Sequence, residues 1–318
     1  MDNLEKSSRI VFDQCFKLKK SETVLILYSN DKAILANNFL EAAKRLASSV
    51  DLFQIDEPVE SGSEPSQMSA EKMLHYDAIA ILTEKSLTHT EAVKNACKNG
   101  ARVASMPGLT EEMMLRTLPV NYDEMKNFTV KITSILSKAA TVRITSQKGT
   151  DLSFSTKTRK ANGDFGDLSF KGALANLPGG ESFIAPLEGT ANGIYIIDGS
   201  QSGIPGILKG TLKFEVKDGF VIKISGNSST VLNSILEKFN SKNAYNIAEF
   251  GIGTNPNAIL TGKVLEDEKV KGTCHIALGN NSGFGGKVNV PVHLDGVMRK
   301  PTILVDGKLI MDKGKFLI

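Results

Sequence analysis

The sequence contains no tryptophan, only three cysteines and only four histidines in 318 residues. The cysteines, Cys15, Cys97 and Cys274, are odd in number and far apart, which excludes a disulfide framework and a paired-cysteine zinc site. This usage indicates reduced thiols in a cytoplasmic protein. No apolar run approaches the roughly 20 residues that span a bilayer, so the sequence predicts no membrane segment and no membrane partner.

An excess of charge of one sign is also missing. The 38 Lys and Arg residues nearly balance the 35 Asp and Glu residues, leaving a formal net charge of +3. This balance argues against a nucleic-acid partner and against a membrane-surface partner. The hydrophobic fraction is 41% and the charged fraction 23%, which allow an ordinary globular core. The length suggests roughly two domains.

The first half of the sequence alternates short apolar runs with amphipathic stretches. Strands are predicted at Thr23–Tyr28, Val50–Ile55, Tyr76–Leu82 and Arg102–Ser105, with helices between them. Such alternation is typical of a parallel sheet with crossover helices, so residues 1–120 are predicted to form a Rossmann-like α/β domain. The first strand is followed by neither a GxGxxG motif nor a Walker lysine motif, which argues against a dinucleotide site.

The second half is rich in strands and glycine. Residues 121–140 are predicted to form a linking helix, because apolar side chains recur along one helical face. Further on, Asp218-Gly219 and Asp306-Gly307 lie between apolar runs and indicate two-residue hairpin turns. Residues 141–318 are therefore predicted to form a mostly antiparallel α+β domain, which also carries the metal-binding chemistry.

Five residues of this second domain are candidate metal ligands: Glu181, Glu249, His275, His293 and Asp295. His293 and Asp295 are two apart in a predicted strand, so their side chains share a face with Cα atoms about 6.6 Å apart. One cation can then take an imidazole nitrogen and a carboxylate oxygen. Two histidines and an aspartate fit zinc, manganese, cobalt or iron(II). The two glutamates complete a second metal position or act as general base.

Each of these features can also be explained by structure alone, without a metal site. A single His-x-Asp pair on a strand is common in proteins that bind no metal. The acidic run Glu266-Asp267-Glu268, followed by Lys269, is interpreted as a solvated surface charge run. Glu188 and this same acidic run are also weaker candidates for a place near the cleft.

Four segments of the second half resemble the metal-dependent aminopeptidase T / aminopeptidase S family, which are leucyl aminopeptidase-like thermophilic metallo-aminopeptidases. The segments are NLPGGESFIAPLEGTANG (176–193), AEFGIGTNPNAILTGKVLEDEKVKGTCHIALG (248–279), VPVHLDGVM (290–298) and TILVDGKLI (302–310). Their order and character match over most of residues 140–318. The N-terminal half resembles the family only in its α/β pattern.

The resemblance implies a cytoplasmic metalloprotease, a hydrolase that releases N-terminal amino acids from small peptides through a metal-activated water. By motif, Glu181 and Glu249 match metal-binding or catalytic glutamates, and which of them is the general base stays open. His275 matches the histidine of the HIALG strand, and His293 and Asp295 match the HxD ligands. The resemblance implies one or two divalent ions per chain (Zn, Co, Mn or Fe(II)) and a homodimer.

The chain departs from the aminopeptidases between the HIALG and HxD strands. The aminopeptidases carry a longer segment there, with a tyrosine and a further histidine, whereas residues 280–287 of this chain read NNSGFGGK. This difference places peptidase activity in question, and it leads to two alternatives.

The first alternative is a related branch, the dihydroxypyridine dioxygenases of nicotinate degradation, which resemble the same fold with one iron(II). His275, His293 and Asp295 would supply the facial set of two histidines and one carboxylate, with a small aromatic substrate. Glu181 and Glu249 would then orient ligands and substrate. The second alternative is a non-catalytic metal-binding relative.

Overall fold

The computed structural model describes residues 3–318. The chain divides into two units. The first comprises the chain up to Tyr122 together with Asp164–Gly179, and the second comprises Asp123–Gly163 together with Gly180–Ile318. The predicted linking helix, 121–140, is observed as Tyr122–Lys138, and its residues from Asp123 onward belong to the second unit.

The α-helices within residues 3–318 are α1 (Asn3–Ile10), α2 (Ala33–Lys44), α3 (Gln67–Met73), α4 (Glu91–Lys98), α5 (Glu111–Thr117), α6 (Tyr122–Lys138), α7 (Ser229–Glu237) and α8 (Val264–Asp267). A π-helical segment, Val11–Phe16, follows α1. No helix in this part of the chain combines the length and the apolar character that crossing a bilayer requires.

The strands are β1 (Thr23–Ser29), β2 (Ser49–Ile55), β3 (Ala78–Leu82), β4 (Arg102–Ser105), β5 (Thr141–Thr145), β6 (Asp151–Ser155), β7 (Asn162–Asp164), β8 (Leu174–Asn176), β9 (Glu181–Ile184), β10 (Asn192–Ile197), β11 (Leu212–Lys217), β12 (Phe220–Gly226), β13 (Ile247–Gly253), β14 (Cys274–Gly279), β15 (His293–Met298), β16 (Thr302–Val305), β17 (Lys308–Asp312) and β18 (Lys315–Phe316).

The first unit contains a parallel sheet with the strand order β2-β1-β3-β4-β8. Every residue of β3 is buried, as is the run Val24–Leu27 of β1, as expected for strands covered on both faces. This arrangement confirms the predicted parallel-sheet α/β class for the N-terminal half.

The fifth strand of this sheet differs from the expected domain boundaries. β8 pairs with β4, with Val103 opposite Leu174 and Ser105 opposite Asn176. The stretch 164–179 therefore belongs to the first unit, although the sequence placed it inside the domain 141–318. A strand of three residues is too short to show a hydrophobic period, so its pairing depends on contacts that are distant in the sequence.

The second unit carries two mainly antiparallel sheets, which confirms the predicted change of class. The larger has the order β12-β11-β10-β6-β5-β16-β17-β18, and the smaller has the order β15-β14-β13-β9-β7. Both predicted turns join neighbouring strands. Asp218 and Gly219 have φ values of 50° and 80°, and Asp306 and Gly307 have values of 49° and 77°. Positive φ at both central residues is the signature of a type I′ hairpin turn.

The smaller sheet has one apolar face and one polar face because its strands alternate. In β13, Phe250 and Ile252 point into the hydrophobic core, whereas Glu249 and Gly251 point to the opposite side. A bulge between Ile247 and Glu249 shifts the register, so Ile247 also enters the core. The sheet is thereby fixed on the core by one face, and its polar side chains lie on the other face.

Replacement of Phe250 tests this anchoring. Its ring is fully buried, with its centroid 5.5 Å from that of Phe154. We expect Phe250→Ala to lower the free energy of unfolding of the second unit by about 3–5 kcal/mol, measured by urea denaturation. Ile222→Ala, at a position in the same unit with 62% exposure, is the control and should change it by less than about 0.5 kcal/mol. Equal urea midpoints for the two variants would contradict the conclusion that Phe250 anchors the smaller sheet on the hydrophobic core.

Candidate metal centre

The smaller antiparallel sheet brings all five candidate residues onto one face, which is called here the polar face: Glu181 on β9, Glu249 on β13, His275 on β14, and His293 and Asp295 on β15. Directly opposed residues in antiparallel strands point to the same side. The register places Glu249 opposite Ala277 and Ala277 opposite Asp295. It likewise places Gly251 opposite His275, and Gly253 opposite Glu181.

Glu249 is the centre of the polar face, because each of its carboxylate oxygens faces a different imidazole. Its Oε1 lies 3.2 Å from Nε2 of His275, and its Oε2 lies 3.4 Å from Nε2 of His293. The same nitrogen of each imidazole also faces a second carboxylate. Nε2 of His275 is 3.4 Å from Oε2 of Glu181, and Nε2 of His293 is 3.4 Å from Oδ1 of Asp295.

The polar face is closed at one end and open at the other. Glu181, Glu249 and His275 are buried. The side chain of His293 is 31% exposed and that of Asp295 is 14% exposed. A small molecule that approaches this face therefore reaches His293 and Asp295 first.

The imidazole hydrogen bonds fit a metal ion. Nδ1 of His293 lies 2.8 Å from the carbonyl oxygen of Asn280, and it can reach that oxygen only as a donor. In the neutral ring this bond leaves the lone pair of Nε2 pointing at carboxylate oxygens, a repulsive arrangement unless a cation lies between them. Metal-ligating histidines usually donate their other ring nitrogen to a backbone carbonyl in this way, which fixes the orientation of the imidazole.

The electrostatics of the polar face also favour a cation. Burial alone would lower the pKa of His275, but its hydrogen bond to Glu249 and the negative charges around it raise that pKa to about 9. Burial is likewise outweighed at His293, whose pKa is raised well above its usual value by Asp295 and Glu249. Once both imidazoles are neutral, as metal binding requires, the three carboxylates of Glu181, Glu249 and Asp295 leave an excess of negative charge that a divalent ion would neutralise.

Three overlapping groups of potential ligands have atoms within 4.8 Å of one another: Glu181, Glu249 and His275; Glu249, His293 and Asp295; and Glu268, His275 and Asp295. The set implied by the dioxygenase resemblance (His275, His293 and Asp295) is not one of these groups in the described chain. Glu249 and Asp295 each belong to two groups, and so connect the two histidines.

Glu268 and Lys269 also belong to the site, although sequence reasoning placed Glu268 only among the weaker candidates and assigned no role to Lys269. Nζ of Lys269 donates to Glu181 and lies 2.7 Å from Oε1 of Glu268, and Lys269 is almost fully buried. Burial raises the pKa of Glu268 to about 8; Lys269 opposes this rise, whereas Glu181 and Asp295 add to it. This pair adds both a carboxylate and a fixed positive charge to the polar face.

The interpretation of the acidic run as a solvated surface was wrong. Glu266 and Asp267 are fully buried. Oε1 of Glu266 accepts from the backbone nitrogen of Ile259, and the Asp267 carboxylate accepts from the backbone nitrogens of Thr261 and Gly262. Both buried carboxylates therefore accept hydrogen bonds from the backbone of the loop that precedes α8. The sequence motif that contains the run was recognised, but no local pattern revealed this burial.

Gly251 is required beside the imidazole of His275. A Cβ atom at this position would lie 2.1 Å from Nε2 of His275. Only glycine permits so close an approach, because any other residue would place its Cβ inside the imidazole.

Comparison with known proteins identifies a matching family, a curated relative and two solved structures of similar fold. The family model for NicX, 2,5-dihydroxypyridine 5,6-dioxygenase, matches residues 3–318. A curated 2,5-dihydroxypyridine 5,6-dioxygenase from Pseudomonas putida KT2440 is 24% identical over 336 residues, covering 96% of this chain and 94% of the relative.

Two solved structures are similar in fold. The 2,5-dihydroxypyridine dioxygenase from Pseudomonas putida KT2440 superposes with a TM-score of 0.86 at 20% identity, covering 100% of this chain and 98% of the other. Wild-type AmpT from Thermus thermophilus superposes with a TM-score of 0.69 at 18% identity, covering 99% of each chain. The recognised relationship to aminopeptidases is therefore one of fold.

The expectation of a metallo-aminopeptidase, a hydrolase acting in proteolysis, is wrong. The family model and the curated relative both indicate an oxygenase, so the dioxygenase alternative is the better one. The error has a simple cause: the same five residues were compatible with both readings. The family implies a metal such as iron, and the polar face offers groups that can hold one.

Replacement of Gly251 tests the geometry around His275. Because the added methyl group would collide with the imidazole, we expect Gly251→Ala to weaken iron(II) and zinc binding by about tenfold or more. The affinity is measured by competition with a chromogenic chelator. In Gly283→Ala the new Cβ would meet no atom within 4 Å, so this control should bind as the wild type does. Unchanged affinity in Gly251→Ala would show that His275 does not need its present position.

Metal affinity should also depend on pH with a definite sign. His275 and His293 have raised pKa values in the metal-free protein, so both carry protons at neutral pH. A metal ion binds only neutral imidazole, and must displace such a proton. We expect zinc affinity to rise by about tenfold per pH unit, for each proton displaced, between about pH 6 and about pH 9. Calorimetry in buffers of different ionisation enthalpy counts the protons released. A zinc affinity that does not change with pH would contradict the claim that these histidines are protonated in the metal-free protein.

Proposed function

Because the chain belongs to the 2,5-dihydroxypyridine 5,6-dioxygenase family, we propose that it is an iron(II) dioxygenase that opens the ring of a dihydroxylated pyridine. The observation that carries the proposal is the arrangement of Glu249 between His275 and His293, in a chain that matches this family along residues 3–318. The substrate class is a small aromatic ring with hydroxyl groups, in agreement with the name of the curated relative.

Glu249, His293 and Asp295 would hold the ion. Their potential ligand atoms lie within 4.8 Å of one another, and this group includes the two most exposed of the five candidate side chains, His293 and Asp295. Iron(II) with open coordination positions supplies the redox chemistry for reaction of dioxygen with a hydroxylated ring. The group differs from the usual two-histidine set, because Glu249 stands where a second histidine is expected.

His275 and Glu181 would support this group from the buried side. Nε2 of His275 lies between Glu249 and Glu181, so a proton on that nitrogen is shared between two carboxylates. Lys269 holds Glu181 through its ammonium group. These contacts orient Glu249 toward His293 and limit the negative charge that the ion and the substrate encounter.

Asn280 would orient His293 for this role. Its carbonyl oxygen accepts the hydrogen bond from Nδ1, which leaves Nε2 directed toward Glu249 and Asp295. The homodimer implied by the family resemblance remains a prediction.

The experiment that tests the proposed function uses full-length protein loaded with iron(II) under anaerobic conditions. We expect about one iron per chain, and oxygen uptake together with loss of the ring absorbance when 2,5-dihydroxypyridine is added in air. His293→Ala and Asp295→Ala should each lower both iron content and the rate by about 100-fold or more, since each removes a ligand. His75→Ala, an exposed histidine of the first unit, is the matched control.

Different outcomes of this experiment test the assigned reaction and the assigned position of the ion. Iron-loaded wild type that consumes no oxygen with this substrate would overturn the assigned reaction. Full iron content in both ligand variants would instead overturn the assigned position of the ion.

A further inference from the structure

The segment 280–287, the first part of the connection from β14 to β15, places an aromatic ring against a proposed iron ligand. The ring centroid of Phe284 is 5.9 Å from that of His293, with an interplanar angle of 88°. The same ring meets Phe183 edge-to-face, at 5.5 Å and 81°. Both distances are in the range over which aromatic rings attract one another.

Phe183 lies on the polar face. It is two residues after Glu181 in β9, so the two side chains point the same way. It is also opposite Gly251, whose lack of a side chain leaves room on the neighbouring strand. Phe183 and Phe284 are both half-buried, and so form an aromatic wall that remains accessible beside the metal-ligand groups.

The segment is held in place by a partly buried ionic contact. The carboxylate of Glu188 pairs with Arg159, and its Oε1 accepts from Nδ2 of Asn281 at 3.0 Å and from the backbone nitrogen of Lys287 at 2.8 Å. Arg159 also donates to the carbonyl oxygen of Gly285. Glu188 thus fixes both ends of the turn that carries Phe284.

The turn is tight on one side and open on the other. A Cβ atom at Gly286 would lie 1.9 Å from the side chain of Asn281, so the backbone folds closely around that amide. At Gly283 and Gly285, on either side of Phe284, a Cβ atom would meet nothing within 4 Å. The backbone next to Phe284 therefore borders free space.

We propose that Phe284, together with Phe183, binds the substrate ring and makes the segment 280–287 a determinant of substrate specificity. The inference rests on the proposed function and extends it, because it assigns the recognition of a single planar aromatic ring to named side chains. A ring that approaches an ion held by His293 meets Phe284, which packs on the same imidazole. Apolar contact with an aromatic face favours a flat ring over an extended peptide. Glu188 and Arg159 act as positioning residues, because they hold the turn and do not themselves contact the metal-ligand groups.

The test is anaerobic titration of iron-loaded full-length protein with 2,5-dihydroxypyridine, followed by the change in ring absorbance. We expect Phe284→Leu to raise the dissociation constant about tenfold, with iron content and thermal stability unchanged. Phe284→Tyr retains the ring and should stay within about twofold of the wild type. Phe170→Leu, at an exposed phenylalanine of the first unit, is the matched control.

Steady-state oxygen uptake gives a second readout. Phe284→Leu and Phe183→Leu should raise KM about tenfold and change kcat by less than about threefold, since they weaken binding of the ring and leave the ion in place. Glu188→Gln weakens the turn, and should raise KM in the same direction with full iron content.

Each result decides between the two proposals. If the wild type binds and cleaves the substrate, and Phe284→Leu has the same dissociation constant and KM, the inference about the aromatic wall is wrong and the proposed function stands. If the iron-loaded wild type neither binds nor cleaves 2,5-dihydroxypyridine, the proposed function fails and the inference fails with it. A loss of iron in Phe284→Leu would assign the ring to support of His293 and overturn its role in substrate binding.

Discussion

The carboxylate of Glu249 between two imidazoles is the interaction on which the rest of the site depends. A buried carboxylate is costly unless it is paired, and here each oxygen faces a different histidine. Those histidines come from β14 and β15, so the contact requires three neighbouring strands in one register. The bulge before Glu249 sets that register on β13. An error of one residue in any of the strands would turn a ligand into the hydrophobic core.

Small residues make this convergence sterically feasible. Ala277 lies between Glu249 and Asp295 in the cross-strand row, and Gly251 lies beside His275. Because Ala277 ends at Cβ, the Glu249 carboxylate has room to reach across β14 to His293 on β15. Gly251 leaves the volume that the His275 imidazole occupies. The polar face therefore combines long charged side chains with very short ones, and neither type would suffice alone.

Part of this site could be predicted from the sequence, because it depends on residues close together in the chain. The spacing of His293 and Asp295 places both on one side of a strand whatever the strand pairs with. The positions of Glu249 and His275 relative to them depend on pairing between distant strands, which no short pattern encodes. Lys269 shows the same limit. Its charge and its acidic neighbours indicate solvent, and only the fold reveals that its ammonium group lies between Glu181 and Glu268.

The fold shows the same division between local and distant signals. The continuous apolar runs of β1 and β3 and the Asp-Gly turns predicted the parallel and antiparallel classes, because each has a local cause. The three residues of β8 gave no such signal, although they extend the parallel sheet. The reaction class was equally hidden, since the five candidate ligands are compatible with a peptidase and with an oxygenase.

What separates these two chemistries must then lie outside the five candidate residues. The strands fix the ligands through their register, and a change there would disturb the hydrophobic core on the other face. The segment 280–287 is free of this constraint, because it lies in the connection between two strands and belongs to neither. It nevertheless reaches the site twice, through the carbonyl oxygen of Asn280 and the ring of Phe284 on His293. A connection of this kind can change the substrate while the sheet keeps the metal position, which is how one fold can serve unrelated reactions.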